Sequence, residues 1–567
     1  MAPVFQLQDL PADLLFQIFA FLDIRDIVHI RNTCKALEDV TRNHSVWHHA
    51  LSTRFLQKGF PTPGIKNHNV SSLSAGQLER LTIRASRYWS NWTSSQPQCY
   101  TRLDIRPTAR PWSSLPSHRN LAVEFLPWLD GRYLLTLTLY TTSSDRESRR
   151  FSFQCWDLAR NQAQGEPTKI AELLVSGLLS YSVNTSPDSP SVLAVTVRGG
   201  DHSYITTTYT IDFATPDTDP WFRRTSQFPS IRRILGFEGS RVVVTDESNV
   251  VRVADIDSEA WICALKVPLT HTDPTLHLPE QQCLGYQIFD EFVVTFCKQW
   301  IYVYHIPDSL ASSPLHNDDH ALAAPPPLEP IAEYKWRWRI DSITVNPRRQ
   351  RPRTTSYSEP TPPAIDLLMR FDTWFPWPVN ILHHFVLPPN PSFSRSAFSR
   401  TAPETLPYLC SPSSADEPLM AHAIPSPLRL FTPSDMVLGA YGTALWLDAS
   451  TDATTPSQAG DRGQRIATKF LTPTLVPFGV KAGEGAQDDQ VSPGMVDPAL
   501  MNAMTAMALD EQSETRMEDR GVSVLHSQET HELWNRVAVN EEEGQVAVGY
   551  VDGRVSVYIY APPERAE

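Results

Sequence analysis

Glycine is scarce in this 567-residue chain, with 23 residues against the roughly 7% usual in globular proteins. Cysteine offers no framework either. Cys34, Cys99, Cys155, Cys263, Cys283, Cys297 and Cys410 are odd in number and form no CxxC, which argues against a disulfide scaffold or a zinc knuckle. No run approaches the roughly 18 apolar residues that a membrane span needs. The opening MAPVFQLQDL lacks the basic-then-apolar order of a secretory signal. The expectation is a reduced, intracellular, soluble protein, cytoplasmic or nuclear. A net charge of −14 argues against indiscriminate binding to nucleic acid or acidic membranes.

Catalytic signatures are missing too. AGEGAQ lacks the Gly-Lys-Ser/Thr ending of a phosphate-binding loop, and GVSVL lacks the second glycine of a nucleophile elbow. THELWN lacks the second histidine of a zinc protease. His44 and His48 stand four apart on a helical pattern, but no carboxylate or cysteine lies at ligand spacing. No sequence signal pairs two carboxylates as acid and base. The chain reads as a non-enzyme without cofactor or metal. A catalytic propeller would instead require Asp, His or Arg clustered around a central channel.

Proline is abundant, with 48 residues or about 8% of the chain against an average of roughly 5%. It concentrates near 308–332, 347–363, 388–434 and 450–528, together with Ser, Thr and charge. Such stretches cannot bury enough apolar surface to order themselves, so they are expected to be disordered inserts. Within the last, DPALMNAMTAMALD (497–510) has a helical pattern capped by Asp497.

The apolar residues fall into three patterns. In LPADLLFQIFAFLDIRDIVHIRNTCKAL, Leu14, Leu15, Ile18, Phe19 and Leu22 follow at helical spacing behind Pro11. Asp23 suits the cap of a second helix, with Ile27, Ile30, Cys34 and Leu37 on one face. Val46, Trp47, Leu51, Phe55 and Leu56 form a third short pattern. So few residues cannot bury all this surface by themselves. Part of it meets another surface, either a partner or the chain's own large domain.

After a polar connection at 57–72, Ser74 and Gln77 read as a capping box. Leu78, Leu81, Ala85, Tyr88, Trp89 and Trp92 line one side of the helix that follows, while Glu79, Arg80, Arg84 and Arg87 mostly take the other.

From about residue 99 short alternating strands take over. FSFQCWDL, YITTTYTIDF, VVRVADID, QWIYVYHIP, ALWLDA and RVSVYIYAP end alike, and most follow another strand such as RYLLTLTLY or QVAVGYVDG. Strand pairs recurring every 40 to 55 residues are the signature of propeller blades. Seven pairs can be counted, with one placed in 333–387; six or eight blades, or a two-sheet sandwich, are the alternatives. A strand near 99–105 or 121–126 would complete the blade ending at Tyr560. In KWRWRI, Trp336 and Trp338 would take one side of a strand and Lys335, Arg337 and Arg339 the other, a cationic edge for an acidic or phosphorylated cargo or simply a solvated face. RRQRPR (348–353) reads as an import signal, a phosphate clamp or a solvated loop.

The first stretch resembles an F-box on Leu10-Pro11, Leu14-Leu15, Ile18, Leu22, Asp26, Ile27, Cys34, Leu37, Ser45 and Trp47. Thr33-Cys34-Lys35 departs mildly from the commoner Val-Cys-Lys. Cys155-Trp156-Asp157 and Leu445-Trp446-Leu447-Asp448 look like degenerate WD repeats without their Gly-His pair. KWRWRID and the segment from Phe125 to Leu135 are similar to fungal F-box propeller proteins.

The resemblance implies a small all-α F-box (1–56), a linker with an amphipathic helix (57–98) and an all-β, WD-like propeller of about seven blades (99–562). It further implies docking to a Skp-type adaptor, and through it to a cullin, by Leu10, Pro11, Leu14, Leu15, Ile18, Leu22, Ile27 and Trp47. Some of these would make the contact and others support it. The implied role is substrate receptor of a ubiquitin ligase for an unknown protein cargo; a scaffold that ubiquitinates nothing is the alternative.

Overall fold

In a computed structural model, residue 7 and residues 10–563 are described apart from breaks at 66–68, 109–116, 128–130, 142–148, 159–165, 200–202, 213–220, 231–232, 246–248, 269–281, 308–312, 316–324, 337–338, 349–361, 372–380, 401, 409–418, 427–433, 450–462, 472–521 and 529–532. The helix pattern at 497–510 lies outside the described residues.

Five α-helices open the chain: α1 (Ala12–Phe21), α2 (Ile24–Arg31), α3 (Lys35–Thr41), α4 (His44–Leu51) and α5 (Ala75–Trp92). The expected second helix is two, because Cys34 turns extended and stands before α3. Asp23 does not cap α2 with its side chain. It instead accepts from Arg54 Nη1 at 3.0 Å. Arg54 Nη2 also donates to the carbonyls of Ala20 and Leu22, so a cation satisfies the acceptors at the end of α1. That partner comes from 31 residues away, beyond any local spacing rule.

Leu15, Phe19, Ile24, Ile27, Leu37, Val46, Trp47, Leu51 and Phe55 form one core, completed by Leu78, Leu81 and Ala85 of α5. Trp47 Nε1 donates to the Thr41 carbonyl at 2.8 Å, which meets the buried indole's single polar need.

The strands form seven sheets. Blade 1 is Ser117–Phe125, Tyr133–Thr141, Arg150–Asp157 and Thr168–Ser176; blade 2 is Leu178–Val183, Leu193–Arg198, Tyr204–Asp212 and Trp221–Ser230. Blade 3 holds Arg233–Glu238, Arg241–Thr245, Val250–Asp255 and Ala260–Lys266, with two short strands at its edge. Blade 4 is Cys283–Phe289, Phe292–Cys297, Trp300–His305 and Ala332–Lys335. Blade 5 is Ile340–Pro347, Ile365–Phe371, Ile381–Leu387 and Leu419–Pro425. Blade 6 is Met436–Leu438, Thr443–Ala449, Gln464–Phe470 and Ser523–Gln528. Blade 7 joins Trp534–Asn540, Gln545–Tyr550 and Val555–Ile559 to Thr101–Ile105 from the other end of the chain.

Each blade touches the next, and the inner strands of blades 7 and 1 pack together, so the sheets close into a seven-bladed propeller. The apolar clusters lie between blades: Phe153 and Leu193 join blades 1 and 2, and Val294 and Leu367 join blades 4 and 5. A strand packed on both faces is buried almost throughout, as Tyr133–Thr141 is.

Of the two candidates for the closing strand, 99–105 is the one used, and 121–126 belongs to the inner strand of blade 1. ALWLDA is the second strand of blade 6, and its partner Gln464–Phe470 lies in an expected insert. The inserts also hold Leu419–Pro425, Ser523–Gln528 and Pro327–Leu328. Residues 390–400 and 402–408 form an ordered strap. There Asn390 donates to the Glu404 and Leu406 carbonyls at 2.7 Å each, and Phe393 and Phe398 pack on Phe292 of blade 4. Among the described residues no helix is long and apolar enough to cross a membrane.

Candidate functional site

Among the described residues of the helical domain an apolar stripe is left uncovered. Leu14 (44% exposed), Ile18 (36%) and Phe21 (88%) stand four and three residues apart on α1, which places them on one face. Leu7 is exposed close before the helix. Of the residues expected to dock the adaptor, Leu14, Ile18 and Pro11 are exposed, Leu10 and Leu22 are half-buried, and Leu15, Ile27 and Trp47 are core. The last three support the surface from beneath. The apolar run masked Phe21, although its spacing from Leu14 and Ile18 was readable.

α5 fixes this domain to the propeller. Its capping box is complete, with Gln77 N donating to Ser74 Oγ and Ser74 N donating to Gln77 Oε1 at 2.9 Å. The first half packs under the helical domain, and Arg31 Nη1 meets Glu79 Oε1 at 2.6 Å. The second half sends Tyr88 and Trp92 into a cluster with Trp534, Tyr558 and Tyr560. Tyr88 Oη donates to the Glu541 carbonyl at 2.9 Å, and Trp92 Nε1 donates to Thr443 Oγ1 at 3.0 Å. Trp89 stacks on Phe60 at 4.1 Å and meets Phe470 edge-on at 4.7 Å.

Gly544, at φ +63°, lies where a Cβ would stand 2.6 Å from the Tyr88 ring, so the aromatic landing needs a residue without a side chain. Glu541, Gly544, Thr443 and Phe470 lie where inner and third strands end and second strands begin. The helical domain therefore sits on that face of the propeller.

Lys335 ends the outer strand of blade 4 and Ile340 begins the inner strand of blade 5. Lys335 and Ile340 therefore belong to different blades, on the opposite face, and KWRWRI is not one strand; Trp338 lies outside the described residues. Lys335 is exposed and lies over the Trp300 ring at 5.6 Å, Arg339 is half-buried, and Arg337 lies outside the described residues. Arg348 is no loop cation, since its Nε meets the buried Asp366 carboxylate at 2.6 Å.

Inner strands of blades 1, 6 and 7, with Tyr181 of blade 2, line an open cavity of about 370 Å3 on the channel side of the ring. Glu124, Asp435 and Arg536 line it among Ala122, Val437 and Val539. Tyr181 Oη donates to Glu124 Oε1 at 2.8 Å, and the Val537 amide donates to Asp435 Oδ2 at 2.9 Å. Burial and the nearby Asp435 charge push the Glu124 carboxyl up to about 7, against the opposing hydrogen bond from Tyr181. Burial also raises Asp435, with the Val537 amide and Arg536 opposing. The charged groups that a catalytic channel would require are thus partly present. Among the described residues no three His, Cys, Asp or Glu side chains converge as a metal site.

Residues 7–52 match the family model described as F-box-like. No curated protein sequence is similar enough to the chain to count as a match. Among solved structures, the β-propeller domain of Myceliophteria thermophila Cps50 (Swd1) is similar at 9% identity and a TM-score of 0.40, over 81% of this chain and 99% of its own. A chain of the humanized mutant of the Chaetomium thermophilum Polycomb Repressive Complex 2 bound to the inhibitor GSK343 is similar at 10% identity and 0.42, over 83% and 99%. A chain of apo ctPRC2 in an autoinhibited state is similar at 11% identity and 0.43, over 82% and 98%. Overlaps this loose carry no functional inference, and the blade count rests on the sheet order.

The chain thus carries an F-box-like domain followed by a seven-bladed β-propeller. That architecture fits a substrate receptor or a scaffold, and both folds are typically non-catalytic.

Proposed function

We propose that this chain is the substrate-receptor subunit of a Skp–cullin–F-box ubiquitin ligase, active in the cytoplasm, the nucleus or both. The exposed Leu14, Ile18 and Phe21 stripe on an F-box-like domain carries this reading. Each such side chain, once buried in a helix-in-groove contact, contributes about 1.5–3 kcal/mol before association costs. Leu7, Leu10 and Leu22 extend the surface, and Leu15, Ile27 and Trp47 hold its shape. Ubiquitin transfer takes place on other subunits, so the receptor supplies proximity and orientation. Cargo lies on the propeller face away from the F-box, where Lys335 offers exposed charge.

The test is the set of proteins that lose ubiquitin and accumulate when the chain is deleted. Restoring the wild-type chain reverses the accumulation, and a Leu14→Asp/Ile18→Asp chain does not. If deletion leaves every protein level and ubiquitin mark unchanged while the adaptor still binds, the chain is a scaffold.

A further inference from the structure

We propose that the channel cavity is a binding site for a primary ammonium on an apolar stem, the chemistry shared by a lysine side chain and a free alkylamine. Its volume of about 370 Å3 lies within the range of pockets that enclose small ligands, roughly 300–1,000 Å3. The wall is apolar at Ala122, Val437 and Val539, which suits a stem, and two carboxyls against one guanidinium leave a negative excess when both are ionised.

Arg536 is already engaged, with Nε donating to the Leu121 carbonyl and Nη1 to the Asn535 carbonyl. Tyr181 occupies one oxygen of Glu124, while Asp435 is held by the backbone amides of Val537 and Met436. Glu124 thus presents a single oxygen rather than a bidentate edge, with the amide-held Asp435 adding negative charge beside it. A compact ammonium suits that better than the planar fork of an arginine. The acidic chain as a whole favours approach of a cation.

The groups facing Glu124 are Tyr181 from blade 2, Asp435 from blade 6 and Arg536 from blade 7. An ammonium favours the ionised carboxylate, so the Glu124 proton competes with the ligand. With that carboxyl at about 7, the ionised fraction rises from about a tenth at pH ~6 to about nine tenths at pH ~8. Affinity should therefore rise about tenfold across that interval. It then levels off until the amine loses its own proton near ~10.4.

Calorimetric titration of the full chain with n-pentylamine, with a Gly/Ser peptide bearing one lysine, and with n-pentanol tests this at both pH values. The expected result is amine binding that tightens about tenfold, with pentanol far weaker. In Glu124→Gln, which can still accept from Tyr181, binding weakens and its pH dependence is lost. Asp435→Asn weakens binding but keeps the pH dependence. Binding of the peptide at least as tight as that of pentylamine assigns the site to a partner's lysine, and binding of pentylamine alone assigns it to a free amine. Failure of both amines to bind at millimolar concentration overturns the proposal, as does pentanol binding equally well or a wild-type affinity that is flat with pH. Adaptor docking is measured on α1 and is indifferent to either result.

Discussion

Asp366→Ala should destabilise blade 5 by about 3–5 kcal/mol, the cost of removing one member of a buried ion pair. Asp366 Oδ2 accepts from Arg348 Nε at 2.6 Å and Oδ1 from His384 Nε2 at 2.7 Å. The Asp366 side chain is 4% exposed and that of His384 fully buried. His384 stacks on His422, with ring centroids 5.4 Å apart. Alanine would leave a guanidinium and an imidazole facing each other without their acceptor. Asparagine keeps one acceptor and should cost less.

Burial alone would raise the Asp366 carboxyl, but hydrogen bonds from His384 and Arg348 more than offset it and hold it below its ordinary value. The sign follows from that depression. The stabilisation is present above the unfolded value of about 3.9 and is lost as pH falls through the folded value. Denaturant unfolding of wild type and Asp366→Ala at neutral and acid pH checks both points. The gap between them should narrow in acid. An equal gap at both pH values would mean that the ion pair is not what the substitution removes.

Tyr88→Ala/Trp92→Ala should loosen the F-box from the propeller while leaving the rest of each part folded. Both side chains are almost fully buried against blades 6 and 7. Truncating one buried aromatic typically costs about 3–5 kcal/mol. The loss falls on the junction because the F-box core draws on Leu78, Leu81 and Ala85 instead. Small-angle scattering should show a larger and more variable particle, and proteolysis should cut near 93–100 first. Under the proposed receptor role, a reconstituted ligase carrying the variant should still hold the adaptor while cargo is ubiquitinated more slowly, because proximity no longer comes with orientation. Unchanged scattering would show that the remaining α5 contacts suffice.

The sequence shows its regular parts well. The second and third strands of the blades carry the β-branched, alternating runs, so a count of seven could be read beside six or eight, and the closing strand could be narrowed to 99–105 or 121–126. Outer strands such as LMAHAIP (419–425) and SVLHSQ (523–528) are short, lack a clear apolar/polar alternation and are flanked by insert composition. They become strands because a neighbouring strand offers hydrogen bonds, a tertiary effect that composition does not carry. The channel carboxylates were illegible for a similar reason. Glu124 and Asp435 are separated by most of the propeller and meet only through ring closure. On α1 one apolar run hides two opposite faces. Leu15 and Phe19 face the core, while Leu14, Ile18 and Phe21 face outward.

The docking claim is tested most directly by co-expressing the chain with a Skp-type adaptor and measuring complex formation by size-exclusion chromatography with light scattering. A stable one-to-one complex is expected for wild type. Leu14→Asp/Ile18→Asp and Phe21→Asp should lose it without any change in the propeller's thermal unfolding. A folded wild-type chain that elutes apart from the adaptor would rule out docking through α1, as would outward-facing variants that bind as well as wild type.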